Sequence, residues 1–285
     1  MSSDHGQMPS FESWRVAVRR MVAAQEKLFA GTQGIEARTV YEGVGEGGDR
    51  TLEIDRQAED LVFDELQSLH EDGAEFTAVS EERGEVEFGS GASPWRVVID
   101  PIDGSLNARR TIPSHSLSLA VASGSSLADV EYAFVHDFGA REEFTAARGR
   151  GAWLNDDPLL ARGPGYGLEL VGIEASKPEL IAPLIDGLAG KAFRIRSLGS
   201  LAISLCYVAA GRFDGLISAR PTRSVDIAAA QLIAREAGAV VKFDPFDLDE
   251  AHLGLEARYE IAGALDEELL GTLLAVQRET AAQRA

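Results

Sequence analysis

Cysteine is almost missing from this chain of 285 residues. Cys206 stands alone, so no internal disulfide can form and the fold must be held by its own core. Lying in an apolar stretch, it reads as a small core residue, and the cytoplasm is the expected compartment. Lysine is nearly as scarce, being confined to Lys27, Lys177, Lys191 and Lys242, and the net charge is −19. Such a surface repels nucleic acid and anionic membranes, so neither is expected as a partner. An anionic substrate would need a local cation or an arginine cluster to reverse that field. No apolar run is long enough to cross a bilayer. Met1-Ser-Ser-Asp-His-Gly-Gln has neither the basic nor the apolar segment of a signal peptide, so none is expected. Internal repeats, low-complexity segments and a His-x-x-x-His spacing are also lacking, which leaves His115 and His136 as core or surface residues. The hydrophobic content of 45% is ordinary for a globular protein with a core of its own.

The periodicity predicts a first helix from Ser10 to Ala30, with Ser10 as N-cap, and a second from Asp55 to His70. Gly43 to Asp49 reads as a mobile Gly-rich loop, and Gly84 to Pro94 as another. Between them Phe76 to Val79 is a brief strand, followed by Ser80-Glu81-Glu82-Arg83. Leu117, Leu119 and Val121 alternate with small residues as a half-buried strand. Val130 to His136, Glu142 to Ala146 and Gly151 to Leu154 continue an antiparallel sheet. From Leu168 strands and helices alternate: Pro178 to Leu188, Leu201 to Ala210 and Val225 to Ala237 are helices, and a last helix starts at Asp266. The expectation is two lobes with a cleft between them, α+β over 1–160 and α/β over 161–285.

The chemistry centres on Trp95-Arg-Val-Val-Ile-Asp100-Pro-Ile-Asp103-Gly-Ser105-Leu-Asn107. A short β-branched strand runs into two acids, which places Asp100 and Asp103 at its carboxyl end. Pro101, with no N–H to donate, is expected to end the ladder. Gly104-Ser105 then opens a turn whose N–H groups can face an anion. Two carboxylates beside an anion cradle suggest an Mg²⁺ site that presents a phosphate. Asp-x-x-Asp-Gly is also common turn chemistry, and the motif alone leaves both readings open. Asp226 and Asp55 each open a helix, where an acid can equally be a first-turn residue favoured by the helix dipole.

The wider pattern resembles the inositol monophosphatase family, which shares its fold with fructose-1,6-bisphosphatases. Asp100-Pro-Ile-Asp-Gly-Ser-Leu-Asn107 is similar to its metal motif, and Ser80-Glu-Glu82 to its upstream Gly-Glu-Glu element. Val225-Asp-Ile-Ala-Ala229 with Glu236-Ala-Gly238, and Gly149-Arg-Gly-Ala-Trp-Leu-Asn155, resemble further elements in the same order. Asp49 and Asp55 fall where the family has a flexible-loop acid and the acid of the second helix. The resemblance implies a layered αβαβα sugar-phosphatase fold, two or three Mg²⁺ ions and a homodimer. It implies Glu81, Asp100, Asp103 and Asp226 as metal ligands with the carbonyl of Ile102, and Asp49 for a weak third ion. Glu81, Ser105 and Asp55 become catalytic, Ser105 relaying the water's proton to Asp55, while Glu82 orients its neighbours. Gly104 and Ser105 would hold the phosphate, and the Ser197-Leu-Gly199-Ser200 turn would meet the polyol ring.

The substrate implied is a small phosphate ester, inositol 1-phosphate or fructose 1,6-bisphosphate. Two departures bear on it: Ser218 stands where relatives often have Glu, and Val225 where they have an aromatic. Arg220 and Arg223 resemble the arrangement in archaeal dual-activity enzymes and could clamp a second phosphate, aided by Arg194 and Arg196; they could equally balance surface carboxylates. Two alternatives remain within the resemblance: a 3′-phosphoadenosine 5′-phosphate phosphatase, and a non-enzymatic partner in transcription complexes.

Overall fold

The computed structural model describes residues 8–32, 34–39, 41–44, 50–91, 93–174 and 177–284, of which 41–44, 50–52 and 283–284 are described by their backbone alone. Strands β1 (Tyr41–Val44) and β2 (Arg50–Leu52) pair antiparallel. The first large sheet takes β3 (Phe76–Ser80), β4 (Gly84–Phe88), β5 (Arg96–Asp103), β6 (Ser116–Ala122), β7 (Val130–Asp137), β8 (Glu142–Ala147), β9 (Gly151–Leu154) and β10 (Asp157–Leu159). Its order is β10-β9-β8-β7-β6-β5-β3-β4, antiparallel throughout except for the parallel pair β3 and β5. The second sheet takes β11 (Leu168–Glu174), β12 (Ala192–Arg196), β13 (Gly215–Ser218), β14 (Thr222–Arg223), β15 (Val240–Asp244) and β16 (Arg258–Ala264). Its order is β12-β11-β13-β16-β14, with β15 also on β16. The helices are α1 (Phe11–Gly31), α2 (Glu53–Glu71), α3 (Ser105–Arg109), α4 (Pro178–Leu188), α5 (Leu201–Ala209), α6 (Ser224–Glu236) and α7 (Glu267–Arg284). None of the described helices is long and apolar enough to cross a membrane.

Alternation along the strands dictates the layers. On β5, Val97 and Ile99 face α1 and α2, packing with Trp14, Met21, Val62 and Leu66. Val98 points the other way and joins Leu205, Ile227 and Ile233 of α5 and α6. Because both faces are covered, the strand reads as a continuous apolar run rather than an alternating one. α5 and α6 thus form a middle layer between the sheets, and this explains why Ile227 to Ala234 is buried throughout. The far face of the second sheet carries α4 and α7 through Leu184, Leu188, Leu270, Leu273 and Val276. The result is the expected αβαβα order. The sheets divide near residue 160, yet the largest core draws side chains from both segments, so that division does not separate two cores.

Four local expectations need correction. β6 is buried over its whole length, because Ala120 and Ala122 pack toward the middle layer instead of facing solvent. The stretch from Gly84 holds strand β4, an edge strand that pairs with β3 alone among the described strands. Its exposed Glu85 and Glu87 disguise it as a loop and also discourage pairing with another chain. Of the expected loop, Gly43 and Val44 belong to β1 and 45–49 lie outside the described residues. Finally, Pro101 does not end β5. The pairs Asp100↔Ser118 and Asp103↔Ser116 set a three-residue step against a two-residue one, a bulge that accommodates the missing N–H.

Candidate active site

The register of two strands brings the first acids together. β3 and β5 run parallel with Ser80 opposite Ile99, so the next residue on each, Glu81 and Asp100, emerges side by side at the sheet's carboxyl edge. The bulge then turns Asp103 to the same side, and α3 starts two residues later. α6 delivers Asp226 from its first turn, and α2 delivers Asp55 from its own. Asp55, Glu81, Glu82, Asp100, Pro101, Ile102, Asp103, Gly104, Ser105 and Arg223 line one cavity of 160 Å³. A wider, open groove of 460 Å³ between α2 and β4, around Phe63, Gln67 and Val86, is lined by two acids, Asp64 and Glu87, against five in the smaller cavity.

Each acid is held differently. Asp100 accepts the Ile102 N–H at 3.0 Å and is buried. Asp103 accepts the Ser200 hydroxyl at 2.5 Å and the Ala202 N–H at 2.7 Å on Oδ2. Glu81 accepts a hydrogen bond from Nη1 of Arg223. The Nε of the same guanidinium lies 3.4 Å from Asp226 Oδ1, while the Arg223 backbone N–H donates to Asp226 Oδ2 at 3.1 Å. Behind these groups, buried Glu59 accepts from the Ser80 hydroxyl, and Gln25 on α1 donates to the carbonyl of Pro101 at 3.1 Å.

Crowded carboxylates resist ionisation when water is excluded. Burial pushes Glu81 up to about 7, with Arg223 opposing and Asp226 adding to the rise. Burial and Asp226 push Asp103 up to about 7 against the pull of the Ser200 and Ala202 donors. Asp100 is driven well above the usual carboxylate range by burial, then by Asp103, Glu81 and Asp226. Burial disfavours the charge on Arg223, but Asp226, Glu81 and Asp100 outweigh it and keep the guanidinium firmly protonated. The lining sets one guanidinium, Arg223, against five acids, Asp55, Glu81, Glu82, Asp100 and Asp103, with Asp226 beside the same guanidinium.

The remaining candidates sit around this cluster. Gly104 has φ +90°, and a Cβ there would lie 2.9 Å from Ser114 O and 3.0 Å from Gly199 O, so the turn accepts only glycine without rearrangement. Ser105 is exposed as the first residue of α3. Ser197 and Gly199 are exposed, whereas Ser200 is buried, caps α5 and directs its hydroxyl to Asp103. Arg223 lies among the acids, whereas Arg220 is exposed and outside the cavity lining. Arg194 and Arg196 lie on the exposed edge strand β12, each donating to a neighbouring backbone carbonyl. Ser218 is buried in the sheet, its hydroxyl accepting the Ile261 N–H at 2.9 Å, and Val225 is in the core. Asp49 lies outside the described residues. His115 and His136 are packed with Phe138, where burial lowers both below the ordinary imidazole range.

The structure adds supports that the sequence reading did not single out. Glu174, ending β11, accepts the N–H groups of Leu198 and Gly199 at 2.9 and 3.0 Å and the Ser204 hydroxyl at 2.6 Å. Asn107 donates to Leu198 O at 2.6 Å and Ser114 O at 2.7 Å, tying the Gly104 turn to the Ser197–Ser200 turn. Signals existed for some of them. Glu59 lies four residues after Asp55 and so shares its helix face, and Glu174 ends a strand as Asp100 does.

Residues 12–281 match the model of the inositol monophosphatase family. The chain is similar to a fructose-1,6-bisphosphatase/inositol-1-monophosphatase of Thermococcus kodakarensis, 32% identical over 238 residues that span 83% of this chain and 86% of the relative. It is also similar to the Nus factor SuhB of Escherichia coli strain K12, 35% identical over 211 residues, 68% of this chain and 71% of that one. Among solved structures, an inositol monophosphatase–fructose 1,6-bisphosphatase superposes with a TM-score of 0.80 at 27% identity, covering 92% of this chain and 99% of that one. The Thermotoga maritima IMPase gives 0.73 at 25% identity, covering 94% and 99%.

Proposed function

The chain belongs to the inositol monophosphatase family, and from that premise we propose that it is an Mg²⁺-dependent phosphatase of sugar or polyol phosphate monoesters, inositol 1-phosphate and fructose 1,6-bisphosphate among them. The observation that carries this reading is the set of acids from β5, the turn after β3 and the start of α6 gathered beside the Gly104–Ser105 turn.

The donor set fits a hard divalent cation: every candidate ligand is a carboxylate or carbonyl oxygen, and a cationic guanidinium already stands between Glu81 and Asp226. As the side chains are placed, no three acids among the described residues converge on one point. Glu81 and Asp226 are turned to Arg223, and Asp103 to Ser200, so ion binding requires side-chain reorientation within the same cavity. Glu81, Asp100, Asp103 and Asp226, with the carbonyl of Ile102, would hold the ions. When bound, such ions supply the positive charge that phosphoryl transfer needs and make water more acidic. Gly104 and Ser105 present their N–H groups to the phosphate, where fixed dipoles stabilise developing charge. Ser105 passes the attacking water's proton toward Asp55, and Glu82 keeps its neighbours oriented. The turn at Ser197 and Gly199, fixed by Glu174 and Asn107, meets the alcohol portion of the ester.

The direct test is phosphate release from inositol 1-phosphate, fructose 1,6-bisphosphate and 3′-phosphoadenosine 5′-phosphate, with Mg²⁺ and with EDTA. Mg²⁺-dependent release from either of the first two is expected. Release from the adenosine bisphosphate alone would move the substrate class. No release from any, with partner capture independent of substrate, would favour the regulatory role suggested by the likeness to the Nus factor.

A further inference from the structure

We infer that Arg223 is a resident counter-cation of the carboxylate cavity, which a divalent ion must displace from Glu81 and Asp226 in order to bind there. The inference rests on the ligand role proposed above for those two acids. The guanidinium joins segments far apart in the chain: its Nη1 donates to Glu81, and its Nε faces Asp226 at 3.4 Å. Its root is fixed, because Arg223 is the residue capping α6 and its own N–H donates to Asp226 at 3.1 Å.

An ion and a guanidinium compete for these carboxylates. Guanidinium carries donors only, so it offers an incoming cation no ligand, and two positive charges at contact distance repel. The Arg223 side chain is 20% exposed, with Glu81 and Asp226 at 16% and 15%. It is therefore near enough to solvent to leave, unlike a side chain packed into the core. On the opposite side of the cavity Asp103 is held, among the described residues, by a hydroxyl and an amide, neutral donors of the protein body. Occupancy on the Glu81–Asp226 side is thus set by an exchange of one cation for another, and the site keeps a compensating charge when no ion is bound.

The experiment is calorimetric titration of Mn²⁺ into the metal-free full chain, without substrate, for wild type, Arg223→Gln and Arg223→Lys. Removing the competitor should tighten Mn²⁺ binding about tenfold in Arg223→Gln, the scale of one ion pair that no longer has to be broken. Arg223→Lys, which keeps a charge but loses the fork, should fall between the two. Equal or weaker binding by Arg223→Gln, with wild type binding normally, overturns the competition and leaves the ligand assignment standing. Absence of Mn²⁺ binding in wild type overturns the ligand assignment, and the inference with it. A readout on the wild type covers a Gln variant that fails to fold. The Arg223 Nε–H resonance, identified by its loss in Arg223→Lys, should move on Mg²⁺ titration, and an unmoved resonance overturns the displacement.

Discussion

The two sides of the carboxylate cavity are built on different principles. On the β5 side, Asp100 and Asp103 are buried and take N–H and O–H donors from their own bulge and from the start of α5. On the α6 side, Glu81 and Asp226 are partly exposed and share a charged, displaceable arginine. The contrast teaches how one cluster can be both pre-organised and responsive. Neutral donors fix the direction of a carboxylate without cancelling its charge, whereas a cation cancels it until another cation arrives.

The largest effect should come from breaking the fixed side. Asp103→Asn retains an acceptor for Ser200 but removes the charge, and turnover should fall on the order of 10²-fold or more, as when a transition-state charge loses its partner. Circular dichroism should be unchanged, and retained activity would remove Asp103 from the ligand set. Next is the glycine between the two acids and α3. Gly104→Ala puts a Cβ into backbone oxygens at a positive φ, so stability should drop by about 1–2 kcal/mol in a denaturant titration, with activity lost as the turn shifts. Ser200→Ala should cost about 10–100-fold in ion affinity or activity, because it leaves Asp103 unaimed.

A pH titration sharpens the same comparison. In metal-free protein Glu81 and Asp103 are raised to about 7 from their ordinary 4.5 and 3.8. The folded state therefore binds more protons than the unfolded chain between those limits. Stability from these groups is full below their unfolded values and is lost as pH rises through about 7. The melting temperature in EDTA should fall across that window, and Asp103→Asn or Glu81→Gln should flatten the fall. Saturating Mg²⁺ should abolish it, since the ion replaces the protons. The smallest expected effect is Arg220→Ala. Exposed and outside the cavity, this side chain can affect only a second phosphate, so a modest loss confined to fructose 1,6-bisphosphate is expected. Equal loss on inositol 1-phosphate would reject the clamp.

The parts of this molecule legible in sequence are those written in contiguous residues. The helix Pro178–Leu188 and the strand Gly151–Leu154 have the bounds their patterns imply, because a proline start and a short run set off by turns are local signals. The strand from Trp95 and the turn at Gly104 were readable for the same reason: both lie within the thirteen residues Trp95–Asn107. What escaped depends on distant partners. The bond from Ser200 to Asp103 spans 97 positions and that from Arg223 to Glu81 spans 142, separations that no local pattern encodes. β4 was hidden by its edge position, where one face of alternating glutamates mimics a loop. β5's passage through Pro101 needed the register with β6, which the sequence of one strand does not contain.

The central claim is that acids from β5, the turn after β3 and the start of α6 bind divalent ions together in one cavity. Anomalous diffraction from crystals soaked in Mn²⁺ tests it directly. The expected result is a peak in the 160 Å³ cavity contacted by Asp100 and Asp103, with Glu81 or Asp226 turned from Arg223 toward it. A saturated soak that shows no peak there, or places manganese elsewhere on the acidic surface, would contradict it.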